Sequence, residues 1–427
     1  MITSADSRRG LLLVIISVLL SYVFTSMTVW NTDGKYLFLS RYLRINQHKR
    51  VIAGENFAPD QYRFGSYYLV EYLFKYIAIP WLDENSAEIS SMMLSSESWN
   101  DEKRSMIDAY LPPADRSRIV ADIDRAISEA IAGISPSPLL QNALKAMVGG
   151  LNWQTYITEP ASTLLLLGEN LPQDIRVAVD LASDENRLLN GHLTARFFFN
   201  ILTLLLLYAF TRQFLSPGIS LVSILLFQSI MPLTTMYFGW ETFHAAALFL
   251  AGLLLIVRKR GYFQLCLLVL LGSTFRADHM VFLSLIFLTF FYGRRLSSAA
   301  KFVVLAKTAI LFTIPIGFTL ISSRLLFPEA VYSVNLFQWD YNAGYIWSWI
   351  YPLIFLSLPV IFSKDILRIE FFRKTWIWAI PFLLMNYVVA RPAELRLFTP
   401  LFLYSLPFVV SGLSRFFQTA ASVEDNV

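Results

Sequence analysis

The chain has a single cysteine, Cys266, which lies in an apolar run. An intrachain disulfide is therefore excluded, and outward-facing loops must hold together without one. Charge is also scarce. Only 15% of the 427 residues are Asp, Glu, Lys or Arg, where soluble domains carry about a quarter. No internal repeat is detected, which weighs against a transporter built from duplicated halves. Residues 83–190 show no metal-ligand spacing, no glycine-rich phosphate loop and no nucleophile motif.

What is abundant is apolar length. The chain is 56% apolar, with a mean hydropathy of +0.52. This predicts an all-α polytopic membrane protein. Long apolar runs give about ten transmembrane helices, near 11–30, 194–213, 217–236, 242–257, 262–275, 279–292, 302–323, 343–363, 375–391 and 395–413. The first run, Leu11 to Trp30, is long enough to cross and lacks a small-x-small cleavage site, so an anchor is expected rather than a cleaved leader. Basic residues fall in alternate connections: Arg8 and Arg9, Arg212, Arg258 to Arg260, Arg294 and Arg295, Lys364 to Lys374, and Arg415. The positive-inside rule makes that side cytoplasmic, with both termini inside. Because both flanks of Tyr262–Gly293 are basic, that segment must be a hairpin with its apex at Arg276-Ala277-Asp278-His279. Each arm spans only about 20 Å at 1.5 Å per residue, which places the apex inside the protein.

Residues 31–193 form a long outer region with 15 Lys and Arg against 21 Asp and Glu, net −6, while the rest of the chain nets +10. Tyr36 to Arg44 reads as an amphipathic surface helix. Gln61 to Leu82 reads as a second interfacial helix, since Glu71 and Lys75 form an i,i+4 pair in its middle. Residues 83–190 read as a small helical outer insert. Ile119, Ile123, Ile127 and Ile131 mark one helix face, Asp115 is a candidate cap, and the expected role is structural or acceptor docking. Seven prolines fall in the later spans (Pro232, Pro315, Pro352, Pro359, Pro381, Pro400 and Pro407) and predict kinks. Trp347, Trp349, Tyr351, Trp376 and Trp378 are expected in interfacial belts.

With this topology, unusual charges collect at helix ends on the outer side. They are Asp33, Glu241 with His244, Arg276 with Asp278 and His279, Asp340, and Arg391 with Glu394 and Arg396. Two readings compete for the arginines. In one they are structural partners, Arg276 with Asp278 or Asp340 and Arg396 with Glu394. In the other they bind a phosphate at the outer leaflet, for which guanidinium is suited by its paired donors. If the second holds, Asp33 is the candidate base that deprotonates an incoming hydroxyl.

These features resemble the GT-C class of polyprenyl-phosphate-sugar-dependent glycosyltransferases, including bacterial mannosyltransferase-like and arabinosyltransferase-like enzymes. The matching residues are Asp33 after the first span, the Asp60-Gln-Tyr62-Arg63-Phe-Gly stretch, Phe275-Arg276-Ala-Asp278, and Arg391-Pro-Ala-Glu394-Leu-Arg396. The resemblance implies an inverting transferase on the outer face of a bacterial inner membrane. Asp33 would be the base, Arg276, Arg391, Arg396 and Arg63 would hold the lipid phosphate of the donor, and Asp60, Tyr62, Glu241, Asp278, His279, Asp340 and Glu394 would support them. The implied partners are a polyprenyl-phosphate sugar, a glycan or lipid-linked acceptor and membrane lipid, with no nucleic acid. Many members carry two adjacent acids on the first outer loop. Thr32-Asp33-Gly34 offers one, so no metal and no cofactor is expected. An O-antigen or exopolysaccharide polymerase or ligase shares the spans and outer arginines but usually places its large loop late. A flippase or transporter would favour repeats and mid-span charges.

Overall fold

The computed structural model describes residues 4–33, 47–77, 183–231, 241–293, 296–332, 337–391 and 394–424. The expected surface helix at Tyr36–Arg44, most of the 83–190 insert and Pro232 lie outside the described residues. Among the described residues the chain is helical, and no β-strand occurs. The only extended pairing there is a bridge between Ala58 and Tyr332.

The first helix, α1, spans Ser4–Asp33, so the apolar run is helical through Asp33. A helical stretch over 47–53 follows, then a 3₁₀ turn Asp60–Arg63 and a short α2, Gly65–Leu69, which continues as a π-turn over Val70–Phe74. This stretch was expected to be a single interfacial helix. It is instead broken by changes of helical pitch and is too short to cross a bilayer. The i,i+4 pair of Glu71 and Lys75 is present. Next come α3 (Ser183–Thr211), α4 (Pro217–Ile230) and α5 (Thr242–Val257). Pro217 opens α4, where its missing N–H costs nothing.

The segment Tyr262–Phe291, α6, is folded back on itself. Its helical geometry breaks at Arg276, where φ is −151° and ψ is 81°. The rings of Tyr262 and Phe287 lie 5.8 Å apart, although 25 residues of straight helix would separate them by about 37 Å. Gly272 faces Met280, and a Cβ at Gly272 would collide with that side chain. The expected hairpin is thus present, with Arg276 at its apex. The absence of side chains at Gly252 and Gly272 makes room for the side chains of Leu283 and Met280, which lets the second arm pack closely against α5 and the first arm.

The remaining elements are α7 (Ser298–Ile321), α8 (Trp339–Gly344), α9 (Ile350–Ile361), α10 (Ser363–Ile366), α11 (Glu370–Thr375), α12 (Ala379–Val389) and α13 (Thr399–Glu424). Ser297 caps α7 by accepting a hydrogen bond from the Ala300 amide. Pro315, Pro359 and Pro407 lie inside α7, α9 and α13.

Among the described residues, four stretches are long and apolar enough to cross a membrane: Arg187–Thr211, Tyr262–Phe291, Ser298–Leu326 and Arg396–Arg415. The second of these is the hairpin, so it returns to its starting side. Gly10–Ser26, Pro217–Ile230 and Thr242–Val257 are shorter apolar helices. The chain is therefore a helical protein with membrane-spanning character. α7 turns large apolar side chains outward along its length, among them Phe302, Ile310 and Leu320.

The core is built largely from aromatic rings. Phe210, Phe371, Phe372, Phe382, Tyr404 and Phe408 are all buried. Trp378, expected in an interfacial belt, lies in this core and is only 1% exposed. It contacts Phe249, Phe282, Phe382 and Tyr404. The 3₁₀ turn Trp376–Trp378 separates the two tryptophans. Trp376 remains 46% exposed, and the turn rotates Trp378 inward. Trp347 is exposed as a belt residue should be, while Trp349 packs against Tyr387 and Phe398.

Basic loops meet at the end of the bundle away from Arg276. Lys259, after α5, and Lys374, in α11, both lie over the ring of Phe290. Lys307 lies over Tyr262 nearby. The sequence grouped these loops on one side by charge, and the fold places them together.

Candidate functional site

Glu241 is the residue immediately before α5 and is buried. Its Oε1 lies 3.4 Å from Arg63 Nη1, 3.7 Å from Arg276 Nη1 and 4.0 Å from Arg396 Nη1. Four segments far apart in sequence thus meet at one carboxylate: the 3₁₀ turn at 60–63, the start of α5, the apex of α6 and the 3₁₀ turn Leu395–Phe398. Burial alone would push the Glu241 carboxyl up. The attraction of Arg63, Arg396 and Arg276 outweighs it and holds the group below the usual carboxylate range.

Two further carboxylates complete the charge balance. Asp278 accepts from Arg276 through both oxygens, Nε to Oδ1 at 2.9 Å and Nη2 to Oδ2 at 2.5 Å. Glu394 Oε2 accepts from Arg396 Nε at 3.3 Å and Nη2 at 3.1 Å. The structural partnerships Arg276–Asp278 and Arg396–Glu394 are therefore both present. Asp340, the alternative partner for Arg276, lies exposed on α8 and makes no ion pair among the described residues.

Arg391 is different. Its Nε donates to Gln338 Oε1 at 3.2 Å and its guanidinium lies 4.9 Å over the Tyr341 ring. Among the described residues it has no carboxylate partner. Of the four predicted phosphate arginines it alone makes no ion pair among the described residues.

A cavity of about 250 Å³ opens beside the cluster. Arg63, Arg276 and Asp278 line one wall, and Asn386, Val389 and Ala390 from the end of α12 line another. Tyr62 and Tyr332 also line it, their rings 6.2 Å apart. The Tyr62 hydroxyl donates to the Ala330 carbonyl at 3.0 Å.

Asp60 sits in the same turn as Tyr62 and Arg63. Its Oδ2 accepts from Gln47 Nε2 at 2.6 Å. Burial pushes its carboxyl up from the ordinary range despite the pull of Arg63. His279 follows the hairpin apex and is buried, and among the described residues neither ring nitrogen has a hydrogen-bond partner. His244 is buried between Phe199 and Phe275, ring centroids 3.9 and 5.1 Å away. Asp33 ends α1, and its side chain lies outside the described residues. Among the described residues, no group of three or more His, Cys, Asp or Glu is placed to hold a metal ion.

Sequence reasoning missed several participants. Gln47, Gln338 and Asn386 are neutral, and nothing in their local pattern marks them. His48 and His192, 144 residues apart, are both buried and joined Nδ1 to Nε2 at 2.9 Å. His48 Nε2 also donates to Glu71 Oε2 at 3.0 Å. The half-buried charge pair of Glu71 and Lys75 was legible, but its inward continuation to two histidines was not.

Comparison of the chain with protein-family models, with characterised proteins and with solved structures gives no significant match.

Proposed function

We propose that the chain is an inverting, GT-C-like glycosyltransferase with about ten membrane spans, working on the outer face of a bacterial inner membrane. It would move a sugar from a polyprenyl-phosphate donor to a glycan or lipid-linked acceptor. One observation carries this reading: charged residues from four distant segments converge around Glu241, beside a cavity, at the ends of apolar helices. Ionisable groups at membrane depth are costly and are kept mainly for function.

The arginines divide in this reading. Arg276 and Arg396 shape the site through their carboxylates. Arg391, whose described partners are neutral, is the main phosphate contact, with Arg63 at the cavity wall. Asp33 is the base. It takes the proton from the acceptor hydroxyl as that oxygen attacks the anomeric carbon, and the bond to the lipid phosphate breaks with its electron pair going to the phosphate oxygen. Both termini and the basic loops lie on the cytoplasmic side.

The test is mass spectrometry of lipids that co-purify with the protein in mild detergent, for the wild type and Arg391→Ala. A polyprenyl monophosphate sugar lost in the variant supports the transferase. A polyprenyl diphosphate oligosaccharide moves the assignment to a polymerase or ligase. Phospholipid alone in both overturns the phosphate role.

A further inference from the structure

The neutral polar side chains that line the cavity direct their protons into the protein. Ser273 Oγ donates to the Val269 carbonyl at 2.7 Å, Thr319 Oγ1 to the Pro315 carbonyl at 2.9 Å and Tyr62 Oη to the Ala330 carbonyl at 3.0 Å. Asn386 Nδ2 donates to the Phe382 carbonyl at 2.9 Å, and among the described residues its Oδ1 has no hydrogen-bond partner. Each of these groups keeps acceptor capacity. Tyr332 is the exception. Its hydroxyl makes no hydrogen bond among the described residues, and it lies near enough to Arg63 and Asp278 to feel their charges.

The charged lining has the same bias. Asp278 accepts from Arg276 through both oxygens, and a carboxylate has about four acceptor positions, so about two stay open. Its side chain is 32% exposed, against 18% for Arg63 and 3% for Arg276. The most accessible charge on this wall is therefore negative, and both arginines are already paired with carboxylates. A phosphodiester offers only acceptors, so it is mismatched to such a wall. A cation is opposed by Arg63 and Arg276. A neutral ligand with several hydroxyls matches it, because each O–H can donate to one of the open acceptors.

Size narrows the ligand further. At about 250 Å³ the cavity falls below the range of about 300–1,000 Å³ that drug-sized ligands occupy, so it takes one ring and not two. Val389, Leu397 and the rings of Tyr62 and Tyr332 supply apolar surface for the C–H faces of that ring. Ala390 lines the cavity, and Arg391, the next residue, does not. We propose that this cavity is the binding site for a single neutral pyranose, with Asp278, Asn386 and Tyr332 reading its hydroxyls, and that the phosphate of the donor stays outside it. This rests on the transferase reading given above and adds the sugar class: an uncharged hexose, not a uronic acid or a disaccharide.

The test compares phosphodiesters that differ only in the group beyond the phosphate. The probes are farnesyl methyl phosphate and the farnesyl phosphate esters of glucose, mannose, galactose and glucuronic acid. Their affinities are measured for the full-length protein in a polyoxyethylene detergent, which carries neither sugar nor phosphate, for the wild type, Asn386→Leu, Tyr332→Phe and Arg391→Ala. At least one hexose ester should bind about tenfold more tightly than the methyl ester, roughly what two net hydrogen bonds supply. Asn386→Leu and Tyr332→Phe should each shrink that advantage and keep the methyl ester's affinity, which reports an intact fold. Arg391→Ala should weaken all the esters alike. Equal binding of the methyl and hexose esters overturns the sugar site and leaves the phosphate reading standing. So does a hexose advantage that survives both Asn386→Leu and Tyr332→Phe. A glucuronate ester that binds as tightly as the best hexose overturns the neutral class. Arg391→Ala with unchanged methyl ester affinity overturns the phosphate reading, and the sugar site then stands on the hexose advantage alone. Failure of every probe to bind overturns both.

Discussion

Glu241 holds three guanidinium groups around one buried carboxylate, which makes it the residue whose loss should matter most to the site's integrity. Removing one partner of a buried charge set leaves the others desolvated and unpaired, at a typical cost of about 3–5 kcal/mol. Glu241→Gln should therefore lower the detergent melting temperature sharply, and a near-native melting curve would show that the cluster contributes little to stability. Asp33→Asn should leave the fold intact and abolish sugar transfer, and full transfer by that variant would remove Asp33 as the base. Asp60 carries a pH-dependent prediction. Its folded carboxyl lies above its unfolded value. Its contribution is therefore full below the unfolded pKa and is lost as pH rises through the folded one. The wild type should lose melting temperature between acid and neutral pH relative to Asp60→Asn, and parallel curves for the two proteins would contradict the shift.

Among the elements, the hairpin α6 is what makes the site. Its arms are too short to cross a bilayer separately, so Arg276 and Asp278 stay inside the protein, where Glu241 and the cavity meet them. Closure of the hairpin depends on Gly272 packing against Met280. Gly272→Leu should force the arms apart, displace Arg276 from Glu241 and weaken phosphodiester binding together with stability. Overpacking of this kind costs about 1–3 kcal/mol or more. A variant with native stability and native binding would show that the arms can separate without consequence. The 47–53 stretch plays a smaller version of the same part, anchored by His48 rather than by a helix–helix contact.

At the scale of the whole molecule, the charged cluster and the basic loops lie at opposite ends of the bundle. Lys259 and Lys374 share the Phe290 ring at one end, while Arg276 meets Glu241 at the other. In the proposed orientation the first end is cytoplasmic. In a Cys266→Ser background, a cysteine at Arg260 should resist a membrane-impermeant maleimide in intact cells. One at Ser96, in the expected outer insert, should react. The reverse pattern would invert the protein and put the site on the wrong face for a lipid-linked donor displayed outside.

The periodicity and charge of the sequence were enough for the helical membrane character, the grouping of basic loops and the hairpin. Each of these follows from a rule that acts locally: apolar length, a Lys and Arg count, or a segment with basic flanks on both sides. The pairs Arg276–Asp278 and Arg396–Glu394 were also legible, because their partners are two residues apart. Only the tertiary structure could decide that Arg63, Arg276 and Arg396 share Glu241, that Trp378 faces the core rather than the interface, that Asp340 stands apart from that cluster, and that Arg391 meets the neutral Gln338 and Tyr341. These depend on how helix ends from distant parts of the chain are brought together and rotated. Close packing at glycines and aromatic rings sets that rotation, and no single stretch of sequence encodes it.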